Sequence, residues 1–403
     1  MTTKLLQLQP SNINLRISLP ASKSISNRAL ILNALSYSDF DIQNLSDCDD
    51  TRVTVKALDS NDTTFDIGAA GTAMRFLTAF LAKTCGEWVI TGSERMRNRP
   101  IKLLVDALNT LGAKIEYLEK EGFPPLKIYG SALMGGEISL NGGVSSQYIS
   151  ALMMIAPMMV NGLKVKLEGD VISVPYILMT KKMMKEYGVD ASFENNQIDV
   201  RPQSYTPIQY RVESDWSAAS YWYEVLSIAG DGEIFLEGLR EDSSQGDSKV
   251  AALFEQLGVH TQYHKDGVLL TTKSDVVSRF EYDFVNQPDL AQTFAVCCCA
   301  KGIPFVFSGV QSLKIKETDR VAALIAELAK FGYLLHEPQH GQLAWDGSTL
   351  PVSQEIPSVK TYEDHRMAMA FAPLALVRTI IIEEPNVVSK SYPRFWDDFG
   401  LIG

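Results

Sequence analysis

The sequence has 403 residues, of which 46% are hydrophobic and 21% are charged. This composition is typical of a globular protein with a full core, and the length predicts two or three domains. The formal net charge of −11 argues against a nucleic-acid-binding protein, which normally carries a basic face.

The amino-terminal stretch, the apolar runs and the cysteines favour a protein of the cytoplasm. MTTKLLQLQPSNINL contains no apolar segment long enough for a signal peptide. The longest apolar runs, at 151–160 and 367–377, are well short of the roughly 20 residues that cross a bilayer, which predicts no contact with a membrane. Three of the five cysteines are consecutive, Cys297–Cys299, a pattern that predicts small core residues and no disulfide framework.

A repeated pattern predicts the secondary structure: an amphipathic helix ends at an apolar residue and a glycine, and two strands with alternating polarity follow. The clearest copies span residues 105–130, 181–202, 250–272 and 325–347. The glycines expected just past each helix are Gly112, Gly188, Gly258 and Gly332. Glycine adopts a left-handed backbone there without steric cost. The intervals between copies leave room for a further strand and helix, which predicts βαβαββ units.

Two stretches rich in hydroxyl groups are candidates for ligand binding. SKSISNR (22–28) places Lys23, Ser24 and Arg28 close together after a proline, which favours a binding site for an anion. SSQY (145–148) offers uncharged hydrogen-bonding side chains before an apolar helix, and is equally typical of a helix cap.

Two segments between them are predicted to lie at the starts of helices. GAAGTAMR (68–75) reads as a turn that leads into a helix at Gly71, where backbone N–H groups and the helix dipole favour a phosphate or carboxylate. RMRNRP (95–100) carries Arg99 before a helix begun by Pro100. An isolated run of this kind is also typical of a solvated surface.

KETDR (316–320) combines both signs of charge. On a helix, Lys316, Glu317 and Arg320 would occupy neighbouring faces. This pattern predicts either an ion-pair cluster within one helix or a carboxylate kept ionised by two cations beside an anionic ligand.

Two later segments add further cations. TYEDHRMAMA (361–370) places Asp364 and Arg366 just before an apolar helix, and a polar cluster in such a position often lines a cleft. VSKSYPRF (388–395) adds Lys390.

No motif predicts a metal or a nucleotide cofactor. HEPQH (336–340) has the letters of a zinc-peptidase motif, but Pro338 and the expected hairpin prevent the helix that such a site needs. The phosphate-binding glycine motifs of nucleotide-binding folds are missing from the sequence. The cations gathered from all segments are Lys23, Arg28, Arg99, Lys316, Arg320, Arg366 and Lys390. With the candidate acids Asp289 and Glu317, they predict a site for two multiply charged acids.

In this order, the segments SKSISNR, AGTAMR, RP before LVDAL, SSQ, KETDR, DHRMAM and SK resemble the EPSP synthase (3-phosphoshikimate 1-carboxyvinyltransferase) family, over nearly the whole chain. The resemblance implies transfer of the enolpyruvyl group of phosphoenolpyruvate to the 5-hydroxyl of shikimate 3-phosphate, with release of phosphate, in chorismate and aromatic amino acid biosynthesis. It implies an α/β fold: a two-lobed inside-out α/β barrel, each lobe made of three βαβαββ units around a central cleft. No metal and no cofactor are implied.

The resemblance also implies which residues contact the substrates. Those for shikimate 3-phosphate are Lys23, Ser24, Arg28, Ser145, Ser146, Gln147, Ser173, Tyr176, Asp289 and Lys316. Those for phosphoenolpyruvate are Lys23, Gly71, Arg99, Gln147, Arg320, Arg366 and Lys390. By the same resemblance, Asp289 accepts the proton of the 5-hydroxyl, Glu317 protonates C3 of phosphoenolpyruvate, and Lys23 assists the proton transfers.

The lobes and the assembly follow from the resemblance as well. Residues 19–213 are expected to form the N-terminal lobe, on the phosphoshikimate side, with the loops of Gly71 and Arg99. Residues 1–18 and 214–403 are expected to form the C-terminal lobe, with Asp289, KETDR, DHR and Lys390. The resemblance further implies a cytoplasmic monomer.

Two alternatives stay open at this point. UDP-N-acetylglucosamine enolpyruvyl transferase shares the fold and the donor, but its reactive loop normally offers a cysteine, and RMRNRP has none. A non-enzymatic anion-binding protein would need the cations but not two acids converging on them.

Overall fold

In a computed structural model, which describes residues 2–8 and 13–403, the chain divides into two compact units. One unit, the flanking unit, comprises Met1–Pro20 and Glu213–Gly403. The other, the inserted unit, is the continuous segment Ala21–Val212. Each unit has a hydrophobic core of its own.

Short strands and helices alternate along the chain. The strands are β1 (Thr3–Leu6), β2 (Ile13–Ser18), β3 (Thr64–Asp66), β4 (Gly86–Thr91), β5 (Lys114–Tyr117), β6 (Leu126–Gly130), β7 (Gly136–Asn141), β8 (Leu163–Glu168), β9 (Ala191–Glu194), β10 (Gln197–Val200), β11 (Gly232–Glu237), β12 (Val259–His264), β13 (Gly267–Thr272), β14 (Phe280–Asp283), β15 (Phe305–Ser308), β16 (Leu343–Trp345), β17 (Ser358–Val359) and β18 (Ile380–Glu383). The α-helices are α1 (Lys23–Leu35), α2 (Asp49–Asp59), α3 (Gly71–Lys83), α4 (Glu94–Arg97), α5 (Lys102–Thr110), α6 (Ser146–Ile155), α7 (Val174–Glu186), α8 (Trp216–Ala229), α9 (Val250–Phe254), α10 (Ala291–Lys301), α11 (Arg320–Ala329), α12 (His365–Phe371) and α13 (Phe395–Phe399). In the part of the chain that the structure describes, none of these helices has the length and hydropathy that a membrane crossing needs.

The inserted unit contains two four-stranded sheets, ordered β3-β4-β6-β5 and β7-β8-β10-β9. In each sheet the first two strands are parallel and the last two form an antiparallel hairpin, as the predicted βαβαββ unit requires. Strand β8 shows why the sequence folds this way. Its apolar residues Leu163, Val165 and Leu167 are buried and the residues between them are exposed, so one face of the strand packs on the core.

An isolated β-bridge joins two further segments of the inserted unit. Gln43 pairs in parallel with Arg211, and the amide N–H of Gln43 donates to the carbonyl of Tyr210 at 2.8 Å. Gln43 lies between α1 and α2 in sequence. The polar, poorly alternating sequence on both sides of Gln43 explains why no longer strand forms there.

The flanking unit contains three sheets, ordered β12-β13-β11-β2, β14-β15-β16 and β1-β18-β17. Strand β2 precedes the inserted unit in sequence, yet it pairs in parallel with β11, which follows it. The flanking unit is therefore assembled from both chain segments.

The glycines of the repeat lie where the pattern predicts them. Gly112 follows α5 with φ +101° and Gly188 follows α7 with φ +83°, both in the left-handed region that favours glycine. The fourth copy differs, because the hairpin after Gly332 is reduced to isolated bridges, Tyr333 with Thr349 and His336 with Ala344. Pro338 and the polar residues around it interrupt regular pairing there.

Candidate active site

The cationic motif of residues 22–28 spans the N-cap and the first two turns of α1. Ser22 occupies the N-cap position, and Lys23 and Ser24 follow as partly buried residues. Arg28 lies one turn further along the same helix and is only 2% exposed. Lys23 thus lies at the N-terminus of the helix, the positive end of the helix dipole, and Arg28 lies about one turn further along in the interior.

Arg28 is held entirely by neutral oxygen atoms. Its Nε donates to Thr180 Oγ1 at 2.8 Å, its Nη1 to the Ser24 carbonyl at 2.9 Å and its Nη2 to Ser150 Oγ at 2.9 Å. The guanidinium also lies 5.8 Å from the centre of the Tyr176 ring. Burial lowers the pKa of Arg28 to about 10, which leaves it charged at neutral pH. A buried cation with neutral partners is suited to an anionic ligand.

Gly71 and Arg99 lie against each other. Helix α3 begins at Gly71, and a methyl group added there would be 2.5 Å from Arg99 Nη1. The guanidinium therefore occupies the space that a side chain at residue 71 would take. Gln147 lies near the same helix start, because its Nε2 donates to Thr72 Oγ1 at 3.2 Å.

The remaining predicted residues of the inserted unit are at the starts of two other helices. Ser145 caps α6 by accepting a hydrogen bond from the Gln147 amide at 3.3 Å, and Ser146 is the first residue of that helix. Ser173 precedes α7 with φ +55°, an uncommon conformation for serine, and Tyr176 lies in the first turn. Helix termini thus present all of these side chains.

In the flanking unit, two predicted acids and two predicted arginines form one ion-pair network. Asp289 accepts from Arg320 Nη1 at 3.0 Å and pairs with Arg366 Nη2 at 3.0 Å. Glu317 accepts from Arg320 Nη2 at 2.9 Å. Lys316 approaches Asp289 at 3.9 Å. The arrangement brings both candidate proton-transfer groups onto a single guanidinium.

The charges in this network set the protonation of its members. Burial alone would raise the pKa of Asp289, but the charges of Arg366, Lys316 and Arg320 outweigh it and hold the pKa well below its usual range. Burial also disfavours the charged form of Arg320, but the charges of Asp364, Glu317 and Asp289 raise its pKa. Asp289 is therefore ionised at neutral pH while these cations surround it.

Lys390 lies beside the loop that carries the network. Its Nζ donates to the carbonyl of Glu363 at 3.5 Å, next to Asp364 in sequence. Lys390 ends a 3-10 segment, Pro385–Lys390, that follows β18.

One local expectation is wrong: KETDR is not a helix. Helix α11 begins only at Arg320, with Asp319 as its N-cap, and Lys316 and Glu317 lie in the turn before it. The carboxylate of Asp319 accepts from the Ala322 amide at 3.0 Å, which fixes the helix start. Glu317 still reaches Arg320, because the turn folds it back onto the guanidinium.

Several neighbours of the network were not identified from the sequence as parts of a site. Asp247 is buried, accepts a hydrogen bond from Ser217 and has its pKa raised to about 7 by burial and by the charge of Asp289. Tyr221 OH accepts from Arg366 Nη1 at 3.5 Å. Asp247 lies in the polar run SSQGDS before an apolar helix, a cap-like signal that could have drawn attention to it, whereas Tyr221 lies in an apolar run and gives no signal.

Comparison with known proteins identifies the family. The family model for EPSP synthase (3-phosphoshikimate 1-carboxyvinyltransferase) matches residues 8–61 and 58–399. A 3-phosphoshikimate 1-carboxyvinyltransferase of Bacteroides fragilis is 55% identical over 98% of this chain and 96% of its own length. One from Aliivibrio fischeri is 38% identical over 97% of this chain and 98% of its own length.

Solved structures support the fold. An EPSP synthase from Acinetobacter baumannii superposes with a TM-score of 0.80 at 20% identity, over 100% of this chain and 98% of that chain. This likeness confirms the predicted α/β fold class. On the family match and the 55% identity, the chain belongs to the EPSP synthase (3-phosphoshikimate 1-carboxyvinyltransferase) family.

Proposed function

We propose that the chain transfers the 1-carboxyvinyl group of phosphoenolpyruvate to the 5-hydroxyl of shikimate 3-phosphate, releasing phosphate and forming 5-enolpyruvylshikimate 3-phosphate. The chain is an enzyme of the transferase class, since its relatives over nearly its full length carry that name. Its place is in the shikimate route to chorismate and the aromatic amino acids. The activity of UDP-N-acetylglucosamine enolpyruvyl transferase is not favoured by these relatives.

The observation that carries the reaction type is the attachment of Asp289 and Glu317 to Arg320, at 3.0 and 2.9 Å. A protein that only binds anions has no use for two carboxylates on the cations that hold its ligand, because they compete with it. An enzyme that removes one proton and adds another needs two such groups within hydrogen-bond reach of the reactants.

Substrate binding is proposed to follow the family motifs. The residues proposed for shikimate 3-phosphate are Lys23, Ser24, Arg28, Ser145, Ser146, Gln147, Ser173, Tyr176, Asp289 and Lys316. Those proposed for phosphoenolpyruvate are Lys23, Gly71, Arg99, Gln147, Arg320, Arg366 and Lys390. Each substrate carries a phosphate and a carboxylate, which arginine binds bidentately and lysine as a point charge.

The chemistry proceeds by addition and then elimination. The 5-hydroxyl oxygen attacks C2 of phosphoenolpyruvate and gives its proton to Asp289, while Glu317 donates a proton to C3. In the resulting tetrahedral adduct, C3 returns a proton to the Glu317 carboxylate, the bond from C2 to the phosphate oxygen breaks, and the double bond is restored. The departing phosphate takes up the proton that Asp289 received. Lys23 offsets negative charge as it develops on the reactants. Atoms and protons balance without a metal or a cofactor.

The ion pairs of Asp289 suggest how the base is activated. As long as Arg366 and Arg320 bind its carboxylate, Asp289 is too weakly basic to take a proton from a hydroxyl group. A substrate carboxylate that binds these arginines competes with Asp289 for their charge. The pKa of Asp289 then rises toward the range of a useful base, and it does so only when phosphoenolpyruvate is bound.

The assay that tests the function measures phosphate released from phosphoenolpyruvate with and without shikimate 3-phosphate. We expect release only when both are present, and an enolpyruvyl ether as the second product by mass spectrometry. Release that instead requires UDP-N-acetylglucosamine would show the related activity. Binding of both compounds without any release would show an anion-binding protein.

The assembly and the cellular compartment concern the whole molecule. We propose a cytoplasmic monomer, and we propose that the flanking unit supplies the acid and the base. Light scattering during size-exclusion chromatography tests the monomer, since a mass near twice 44.6 kDa would contradict it. Fractionation of the source cells tests the compartment.

A further inference from the structure

The carbonyl oxygen of Pro100 accepts hydrogen bonds from two side chains. Tyr148 OH donates to it at 2.6 Å and Arg75 Nη2 donates to it at 3.1 Å. Both donors are largely buried, with 8% of Tyr148 and 4% of Arg75 exposed. Pro100 itself is at the surface, so these bonds fasten an exposed loop to the interior of the inserted unit.

The fastened residue directly follows Arg99. The Arg99 guanidinium lies over Gly71, where a methyl group would come within 2.5 Å of its Nη1. A side chain packed so closely against a backbone depends on the position of its own Cα atom. The carbonyl of Pro100 is one peptide away from that atom, so the two hydrogen bonds to this carbonyl restrain the position of the Arg99 Cα atom.

Arg75 and Tyr148 also connect this loop to the start of α3 and to Gln147. Arg75 Nη1 also donates to the carbonyl of Gly71 at 3.2 Å, so one guanidinium joins the start of α3 to the loop after Arg99. Tyr148 directly follows Gln147, whose Nε2 donates to Thr72 Oγ1 at 3.2 Å. The tyrosine ring lies 5.8 Å from the Arg75 guanidinium. Three segments remote in sequence are thereby held in one arrangement.

From these contacts we infer that Tyr148 is a positioning residue for Arg99 and so sets the affinity for phosphoenolpyruvate. The inference rests on the proposed function, in which Arg99 binds that substrate. Tyr148 need not touch a substrate to act in this way. Its hydroxyl group aligns the loop before phosphoenolpyruvate arrives, which lowers the cost of ordering the arginine on binding.

The chain offers a matched control for the loss of one buried hydroxyl group. Tyr205 is 7% exposed and its OH donates to the carbonyl of Met154 at 2.8 Å, in the same unit. Tyr148→Phe and Tyr205→Phe therefore remove the same kind of hydrogen bond. A purely structural role for Tyr148 predicts the same kinetics for both variants.

The experiment compares the steady-state kinetics of the two variants with those of the unmodified enzyme in the phosphate-release assay. For Tyr148→Phe we expect a rise of about ten-fold in KM for phosphoenolpyruvate, with kcat and KM for shikimate 3-phosphate within about two-fold. For Tyr205→Phe we expect all three constants within about two-fold. Equal behaviour of the two variants, or a loss in kcat alone, overturns the inference.

The unmodified enzyme in the same assay separates this inference from the proposed function. If it releases no phosphate with shikimate 3-phosphate, the proposed function has failed. A crystal structure of Tyr148→Phe then tests the positioning role without any turnover. Displacement of the Arg99 guanidinium from Gly71 supports that role, and an unchanged guanidinium overturns it.

Discussion

Asp364 and Arg320 are joined by two hydrogen bonds in the interior of the flanking unit, from Nε at 2.7 Å and from Nη2 at 3.3 Å. Asp364 is 0% exposed and Arg320 is 1% exposed. The same carboxylate caps α12 by accepting from the Arg366 amide at 2.9 Å. One aspartate thus orients two of the three arginines that we propose for phosphoenolpyruvate, Arg320 through its side chain and Arg366 through its backbone.

Replacing Asp364 by Asn should weaken phosphoenolpyruvate binding. Asparagine keeps the helix cap and the size of the side chain, but it removes the charge that orients Arg320. We expect KM for phosphoenolpyruvate to rise about ten-fold, and urea denaturation to show a loss of about 2 kcal/mol. Asp319→Asn is the control. Asp319 also caps a helix, α11, and aspartate and asparagine are equally good N-cap residues. An unchanged KM together with the stability loss would mean that Asp364 serves only the fold.

Replacing Gly71 by Ala should displace Arg99 without unfolding the protein. The added methyl group would be 2.5 Å from Arg99 Nη1, which is closer than van der Waals contact permits. Gly71 is the first residue of α3, where alanine is favoured, and the arginine can move aside. We therefore expect an unchanged melting temperature and a rise of at least ten-fold in KM for phosphoenolpyruvate. Gly400→Ala, at a site with open space, should leave the kinetics unaltered.

Replacing Asp289 by Asn should abolish turnover while sparing the binding of phosphoenolpyruvate. The amide cannot accept the hydroxyl proton, so we expect kcat to fall by about 10²- to 10⁴-fold. Removal of the carboxylate also removes a competitor for Arg366 and Arg320, so calorimetry should show phosphoenolpyruvate bound at least as tightly as by the unmodified enzyme. The exposed Asp283, changed to Asn, provides the control. Full turnover by Asp289→Asn would exclude Asp289 as the base.

Replacing Glu224 by Gln should change how stability depends on pH. Glu224 on α8 is 0% exposed, and no described residue donates a hydrogen bond to either of its carboxylate oxygens. Burial raises its pKa well above the usual value, so the folded state keeps a proton that the unfolded state releases. Stability therefore falls as pH rises above about 4.5, by about 1.4 kcal/mol per pH unit, until the pKa of the folded state is passed.

The Glu224→Gln variant should lack this decline, so its stability relative to the unmodified protein should grow from pH 5 to pH 8 in urea denaturation. Glu327 provides the contrast, because it is also buried but accepts hydrogen bonds from Lys330 Nζ, the Lys360 amide and Tyr362 OH. Glu327→Gln should lose about 1 to 3 kcal/mol. Parallel pH curves for Glu224→Gln and the unmodified protein would show that Glu224 is not buried as described.

The elements predicted best from the sequence are those fixed by local chemistry. Gly112 and Gly188 follow their helices because only glycine adopts the required backbone easily, and the two strands expected in residues 250–272 form as β12 and β13. The hairpin after Gly332 has the same pattern but a proline within it, and it is reduced to bridges. A local pattern predicts that a segment is extended, whereas its pairing into a sheet depends on the strands next to it.

The candidate site was predictable in its charges but not in its contacts. KETDR indicates which charges meet, and Glu317 does reach Arg320, although no helix connects them. Tyr148 and Pro100 are 48 residues apart, and no spacing rule joins a tyrosine to a carbonyl so far away. Contacts of this kind depend on how the sheets bring loops together, and local sequence patterns do not predict that arrangement.

The pairing of β1 with β18 has a consequence for synthesis on the ribosome. Leu6 pairs with Ile380, so about 370 residues are made between one strand and its partner. At roughly 5–20 residues per second, β1 waits about 20 to 75 s for β18, while the whole of Ala21–Val212 has already emerged. Strand β1 must pass that time without its partner strand, a period in which a chaperone that shields it would raise the yield of native protein.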